Sequence, residues 1–226
     1  MKNILKYFLW LILTTFSVAL YAQDENKTDT LERDFEIKPF VRLGLDISAI
    51  GRSIYEPEVR QFEFSLESEI LRDWFLNLEG GIMQVRSEQE TFSYSSNGYF
   101  IRTGADVNLL GRPDEFQNDL VLLGLRYAYS FLQHESPYYF LENPYWGEHS
   151  GSIRQTSYHT HWVELVAGVR TEAFNNLFLG WMLRTRIPLF RTREPDIEPY
   201  YIPGFGHGKR SSPISIHFSV YYRFGL

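Results

Sequence analysis

The chain has 226 residues and a formal charge of −6, and 17% of its residues are aromatic. This length suits one domain or two small ones, and the negative charge argues against a nucleic-acid partner. Because the sequence contains no cysteine, it excludes disulfides, thiolate metal sites and lipoprotein acylation.

The first 22 residues are predicted to form a secretory signal peptide. Lys2 and Lys6 supply the positive charge at its start, and a short apolar segment follows over residues 8–18. Ala22 is a small residue at which cleavage would occur. A helix that stays as a membrane anchor is disfavoured, because the apolar segment is shorter than the roughly 20 residues that span a bilayer.

A mostly polar and acidic segment, residues 23–37, is predicted to be a solvated lead-in to one folded domain over residues 38–226. In that domain apolar and polar residues alternate with a period of two, which predicts β-strands. There are about eight such segments of roughly 9–11 residues, the length of a tilted transmembrane strand. The predicted strands cover residues 40–48, 61–70, 74–83, 99–109, 120–131, 159–172, 177–187 and 213–226.

The predicted connections alternate between short and long. Short turns are expected at residues 72–73, 111–119 and 175–176, and long loops at residues 49–60, 84–98, 132–158 and 188–212. Short turns at one end and long loops at the other are typical of an up-and-down antiparallel transmembrane β-barrel. The long loops are then expected on the extracellular side.

The polar face of these strands is predicted to line the inside of the barrel. A soluble barrel has the same period with its apolar residues inside, but here the polar face carries arginine rather than lysine, and glycine in most strands. Arginine suits a confined interior because its planar fork pairs with carboxylates, and glycine makes room beside large side chains. Eight strands enclose a space that side chains fill, so we expect a salt-bridged lumen, with a small pore as the alternative. The predicted lumen charge network is Arg42, Asp46, Glu63, Glu67, Glu79, Arg102, Asp106, Arg126, Glu164, Arg170, Arg184 and Arg223.

The last strand ends in the sequence VYYRFGL (residues 220–226), and the predicted cleavage junction reads Tyr21-Ala22-Gln23. In these features the chain resembles small outer-membrane β-barrels of the Bacteroidota, within an uncharacterised domain family. The resemblance implies contact with outer-membrane lipid and insertion by the barrel-assembly machinery. Some barrels of this group are accessory subunits of larger outer-membrane assembly or secretion complexes, which makes such a complex an expected partner.

An enzymatic alternative centres on His159 and His161, which lie on one face of a predicted strand. Two histidines at this spacing could hold a metal, but the spacing is common by chance, and two polar residues at the membrane rim are the favoured interpretation. Some barrels that resemble this one in strand count modify lipid A, and a matching set here would be His161 as base, Ser157 as nucleophile and Glu164 as orienting group. Glu164 lies on the opposite face from His161, which counts against this catalytic set. We predict no catalytic residue, no metal and no cofactor.

The predicted long loops carry aromatic residues stiffened by neighbouring prolines. Such loops suit partner recognition, or they pack on one another as a lid. The partner-binding candidates are Tyr138, Tyr139, Trp146, Tyr200 and Tyr201. The sequence therefore favours a non-enzymatic outer-membrane barrel that acts as a structural or accessory subunit. A lipid A-modifying enzyme and a small pore are the alternatives.

Overall fold

Eight antiparallel strands form a closed barrel in the computed structural model of the chain. The structure describes residues 40–110, 118–143, 147–192, 198–208 and 213–225, so the predicted signal peptide and acidic lead-in lie outside the described residues. The elements are β1 (Phe40–Asp46), α1 (Ile47–Tyr55), β2 (Val59–Leu71), β3 (Trp74–Gln89), β4 (Phe92–Asn108), β5 (Leu120–Asn143), β6 (Gly147–Phe174), β7 (Leu177–Arg191), β8 (Tyr201–Ile202), β9 (Gly206–His207) and β10 (Ile214–Gly225).

The barrel has the predicted up-and-down topology. From β1 to β7, each strand pairs with the next one along the chain, and β10 pairs with both β7 and β1. The β1–β10 pairing closes the barrel, with Phe40 opposite Gly225 and Asp46 opposite Ser219. The two short strands β8 and β9 form a separate hairpin in the connection between β7 and β10.

The membrane-spanning part of the barrel is apolar outside and mostly polar or charged inside. In β3, Leu76, Leu78 and Ile82 are exposed, whereas Asn77 and Glu79 are buried in the lumen. An exposed apolar band around a charged interior is unfavourable in water and favourable in lipid. The surface is therefore that of a membrane-spanning barrel, and the prediction of an all-β transmembrane fold is confirmed.

The same strands reverse their polarity where they continue past this band. Farther along β3, Met83 and Val85 are buried, whereas Gln84, Arg86 and Glu88 are exposed. Apolar inside and polar outside is the pattern of a barrel wall in water. The strands thus extend out of the membrane on one side, which we call the wall end. The opposite end, with the tight turns, is the turn end.

The predicted long loops at residues 84–98 and 132–158 are wrong, because strands occupy most of them. Strand β3 runs to Gln89 and β4 begins at Phe92. Strand β5 runs to Asn143 and β6 begins at Gly147. Where the outer face of the strands is in contact with water and not lipid, its residues are mostly polar, so the apolar alternation that predicted a strand is lost. The backbone hydrogen bonds of the hairpins nevertheless continue.

The connection at residues 49–60 was predicted as a loop, but it begins with the helix α1. Asp46 caps this helix, since its Oδ1 accepts a hydrogen bond from the backbone N–H of Ala49 at 3.1 Å. This cap ends the first strand at Asp46 rather than at residue 48. Within the described residues, no helix is long and apolar enough to cross a membrane.

The predicted tight turns at residues 72–73 and 175–176 are confirmed. Asp73 and Asn176 have φ values of 63° and 64°, the left-handed conformation that Asp and Asn tolerate better than most residues. Both turns lie at the turn end. Most of the third predicted turn, at residues 111–119, lies outside the described residues.

Close packing fills the lumen, as predicted. A Cβ atom added to Gly124 would overlap the carboxylate of Asp106, and one added to Gly180 would lie 2.8 Å from the ring of Tyr221. Such distances are well below van der Waals contact, so no side chain fits at these two positions. Glycine on the polar face therefore makes room for the large side chains that cross the interior.

Candidate functional site: the sealed lumen and its wall end

Glu79 on β3 is the centre of the charged lumen, where it contacts arginines from three other strands. Its Oε2 lies 3.0 Å from Arg102 on β4 and 2.6 Å from Arg184 on β7, and its Oε1 contacts Arg126 on β5. These side chains are at most 3% exposed. Because each charge has been removed from water, each depends on its partners for compensation.

Three further carboxylates complete this central group. Glu63 lies 2.5 Å from Arg102, and Glu164 lies 3.4 Å from Arg184. Asp106 lies 3.0 Å from Arg126 and also accepts a hydrogen bond from Asn77 at 2.9 Å. Every arginine of the group therefore contacts at least two carboxylates, so the loss of one acid leaves no arginine of the group without a partner.

A second group forms around Glu67 on β2. One oxygen of Glu67 contacts both Arg42 from β1 and Arg170 from β6, across the lumen. The guanidinium of Arg42 also lies 4.7 Å from the ring of Phe178, and that of Arg170 lies 4.1 Å from the ring of Tyr221. These aromatic faces add cation–π attraction on the sides of the arginines that no acid covers.

The remaining two members of the predicted network have other ion-pair partners within the described residues. Arg223 is at the turn end, 3.6 Å from Glu172, and both side chains are partly exposed. Asp46 is at the wall end, where its partner is His217. The structure therefore divides the predicted network into a group of seven residues, a group of three and two separate positions.

Apolar layers close the lumen above and below the charges. At the turn end the layer consists of Phe75, Leu120, Leu122, Val166, Phe178, Met182 and Tyr221. Toward the wall end it consists of Phe100, Ala128, Leu132, Tyr158, Trp162, Ile202 and Phe205. The charged groups thus lie between two apolar layers that keep water away from them.

The hairpin β8–β9 enters the barrel and forms part of the upper layer. The Phe205 ring packs edge-on against Trp162, with 5.3 Å between ring centroids. Arg102 donates a hydrogen bond to the backbone oxygen of Gly204 at 2.8 Å. Residues 198–208, which we call the plug, are therefore attached directly to the central charged group.

Tyr201 belongs to the plug and is only 3% exposed, so it is not on the surface where a partner could reach it, and its position agrees with the alternative in which the aromatic loops pack as a lid. Its hydroxyl donates to Glu56 Oε2 at 2.5 Å and lies 2.7 Å from Nε2 of His207. Burial and the hydrogen bond to Glu56 raise the pKa of Tyr201 above its ordinary value. The sequence left both alternatives open because aromatic loop residues look alike whether they face solvent or fill the barrel mouth.

The other aromatic candidates differ in their positions. Tyr138 and Tyr200 are exposed, and Tyr139 is half-buried. Trp146 lies outside the described residues. Only Tyr138 and Tyr200 are therefore seen on the surface of the described residues, where a partner could reach them.

The candidate set of His161, Ser157 and Glu164 does not assemble. His161 lies on the outer surface, where its Nδ1 is 2.6 Å from the Tyr127 hydroxyl. Glu164 is fully buried in the lumen, and it accepts a hydrogen bond from Trp162 Nε1 at 2.7 Å. The wall of the barrel separates the proposed base from its proposed orienting group.

A different carboxylate, imidazole and hydroxyl do meet at the wall end, and the sequence did not reveal them. Asp46 Oδ2 lies 2.6 Å from Nδ1 of His217, and Nε2 of His217 lies 3.1 Å from Oγ of Ser215. Ser215 and His217 share the polar face of the last strand, which was the available signal. Their relation to Asp46 depends on the barrel closure between β1 and β10.

Asp46, His217 and Glu63 also approach one another closely enough to share a metal ion, with ligand atoms within 4.8 Å. Glu63, however, is already paired with Arg102 at 2.5 Å and faces Arg184 at 3.8 Å. Two nearby guanidinium groups repel a divalent cation and compete for the same carboxylate oxygen. This charge environment does not suit a cation site.

Comparisons with known proteins place the chain in a family. No curated protein is significantly similar to it. The N-terminal β-barrel domain of OprF from Pseudomonas aeruginosa, a crystal structure, aligns with 83% of this chain and 98% of its own length, at 12% identity and a TM-score of 0.36. The family described as "Domain of unknown function (DUF6048)" matches residues 4–226. The chain therefore belongs to the DUF6048 family.

Proposed function

We propose that this protein is a sealed outer-membrane β-barrel that serves as an accessory or structural subunit of a larger outer-membrane complex. The observation that carries the proposal is the closed lumen, in which paired charges lie between two apolar layers. A barrel that fills its own interior has no path for a solute. What it offers to other molecules is its outer surface and its wall end.

In this proposal the turn end faces the periplasm and the wall end faces the cell exterior. Short turns on the periplasmic side and extended hairpins outside are the common arrangement of outer-membrane barrels. The predicted signal peptide, cleaved near Ala22, supports export, and the resemblance to Bacteroidota barrels supports the same location. The barrel-assembly machinery would insert the chain, and outer-membrane lipid would cover the apolar band.

The exposed apolar side chains at the wall end are the best docking candidates. Ile54 and Tyr55 at the end of α1 are 74% and 89% exposed, and Tyr200 is 51% exposed. The hydrogen bond between Tyr201 and Glu56 holds the plug against the end of this helix. Large, strongly exposed apolar side chains favour contact with another protein. We call Ile54, Tyr55 and Tyr200 the mouth rim.

The test is purification of the tagged barrel from gently solubilised outer membranes. We expect a partner in stoichiometric amount, and we expect the double variant Tyr55→Ser/Tyr200→Ser to lose it. Glu88→Gln, an exposed change on the barrel wall, is the matched control and should keep the partner. Recovery of a lone barrel from wild-type membranes would refute the accessory role.

The pore alternative has its own test in planar lipid bilayers. A sealed lumen predicts no conductance steps, even at high protein load. Reproducible steps that scale with the amount of folded barrel would show that ions pass the apolar layers, and would overturn the claim that the lumen is closed.

A further inference from the structure

Asp46, His217 and Ser215 form a continuous hydrogen-bonded chain at the wall end of the lumen. Ser215 and His217 lie two residues apart on β10, so both face the interior. Asp46 is the last residue of β1, the strand that pairs with β10. The distances are 2.6 Å from Asp46 Oδ2 to His217 Nδ1, and 3.1 Å from His217 Nε2 to Ser215 Oγ.

The hydrogen bonds of Asp46 determine which nitrogen of His217 carries the proton. Oδ1 of Asp46 accepts from the backbone N–H of Ala49 and from the hydroxyl of Ser48. Oδ2 is left for the imidazole and, as a carboxylate oxygen, it can only accept. The proton of a neutral imidazole is therefore on Nδ1, and the lone pair of Nε2 points at the Ser215 hydroxyl. This is the arrangement of a nucleophile, a base and an orienting acid.

The surroundings of His217 suit an oxyanion. A cavity of about 20 Å³, which holds about one water molecule, lies beside His217 and is also lined by Arg52, Gln61 and Arg186. Nε of Arg186 has no hydrogen-bond partner within the described part of the chain. Positive donors beside the base can stabilise the negative oxygen of a tetrahedral intermediate. A fatty acyl chain does not fit in so small a cavity.

We infer that Ser215, His217 and Asp46 are the catalytic triad of a serine hydrolase that cleaves short-acyl carboxylic esters at the wall end. This activity goes beyond the docking role, and it replaces the expectation that no residue is catalytic. Neither Ser215 nor His217 is fully buried, so the nucleophile and the base remain partly open to small molecules.

The proposed reaction proceeds in two balanced steps. Oγ of Ser215 bonds to the ester carbonyl carbon while its proton moves to Nε2 of His217. The bond from that carbon to the alkoxy oxygen then breaks, and the Nε2 proton leaves with the alcohol. Water attacks the acyl-serine, gives a proton to Nε2, and releases the carboxylic acid as the proton returns to Ser215. One ester and one water yield one acid and one alcohol.

The chain offers a matched control for the nucleophile. Ser215 and Ser219 both face the lumen from β10, two residues before and two residues after His217. Of these two serines, only Ser215 lies within hydrogen-bond distance of the imidazole. Ser219→Ala therefore removes a hydroxyl from the same strand face and keeps the Ser215 hydroxyl, the imidazole and the Asp46 carboxylate.

The experiment uses the full barrel, folded in detergent and in phospholipid vesicles. We expect a fluorophosphonate probe to label one serine, identified as Ser215 by mass spectrometry, and we expect hydrolysis of p-nitrophenyl acetate. Ser215→Ala and His217→Ala should lose the hydrolysis by at least about 10³-fold, as is typical when a triad member is removed. Ser219→Ala should keep both activities, and heat-dependent gel mobility will verify that each variant is folded.

Three results would overturn the inference. Wild-type barrel that takes up no probe would show that the hydrogen-bonded chain is structural. Acetate ester hydrolysis that survives in Ser215→Ala would assign the activity to another group. Faster hydrolysis of p-nitrophenyl palmitate than of the acetate ester would refute the short-acyl preference. None of these outcomes depends on whether a partner protein binds, so the docking role is tested separately.

Discussion

Replacing Glu67 with glutamine should destabilise the barrel strongly. Within the described residues, Glu67 is the only carboxylate within 4.0 Å of either Arg42 or Arg170. The substitution keeps the size of the side chain but leaves two buried guanidinium groups without an acid. Breaking one buried ion pair in this way costs about 3–5 kcal/mol, so we expect the free energy of unfolding to fall by at least this amount.

Glu79→Gln should cost less, although Glu79 contacts three arginines. After the substitution, Arg126 keeps Asp106 at 3.0 Å, and Arg102 keeps Glu63 at 2.5 Å. The free energy of unfolding then falls only by the contribution of hydrogen bonds to charged groups, about 1.5–3 kcal/mol. The control is Glu88→Gln, which breaks an exposed pair with Arg86 and should cost about 0–1 kcal/mol.

The assay is equilibrium unfolding in urea from lipid vesicles, followed by tryptophan fluorescence and by gel mobility. The expected order of destabilisation is Glu67→Gln, then Glu79→Gln, then Glu88→Gln. A larger loss for Glu79 than for Glu67 would show that the number of contacts matters more than the availability of a second acid. A Glu67 variant as stable as the Glu88 control would show that the lumen charges are solvated.

The other predictions concern the packing and the plug. Gly124→Ala should destabilise the barrel by about 1–3 kcal/mol because the new Cβ atom would overlap Asp106. Gly51→Ala in α1 should stabilise it by about 0.5–1 kcal/mol, because no atom lies within 4 Å of the new Cβ atom and alanine favours a helix. The urea midpoint of unfolding measures both effects. Because the pKa of Tyr201 is raised, the folded state holds this proton more tightly than the unfolded state, so stability should fall as the pH rises above about 10. When the free energy of unfolding is compared at pH 9 and pH 11, Tyr201→Phe should lack the part of the decrease that comes from this hydroxyl. An identical pH dependence in the wild-type protein and the variant would contradict the raised pKa of Tyr201. Phe205→Ala should cost about 3–5 kcal/mol through the cavity it leaves, yet bilayers should stay silent because the charged groups still fill the lumen below; channel activity in this variant would show that the plug alone seals the barrel.

Local sequence is enough to predict the membrane-spanning part of the strands. In a strand with lipid on one side and a polar lumen on the other, successive residues must alternate between apolar and polar. The order Leu76, Asn77, Leu78 therefore shows which side chains point outward and which point into the lumen. The turns at Asp73 and Asn176 were also visible, because a strand pair that reverses in two residues needs residues that tolerate a positive φ. These signals are local, and each can be read within a few residues.

The ends of the strands and the pairing of the lumen charges depend on the tertiary structure and could not be predicted from local sequence. Beyond the lipid, the outer face of β3 becomes polar, as at Gln84, so alternation no longer distinguishes a strand from a loop. Glu67 and Arg170 are 103 positions apart, and the pairing of residues so distant follows from the closure and register of the whole barrel. The same closure brings Asp46 to His217, so no short stretch of sequence contains the proposed triad.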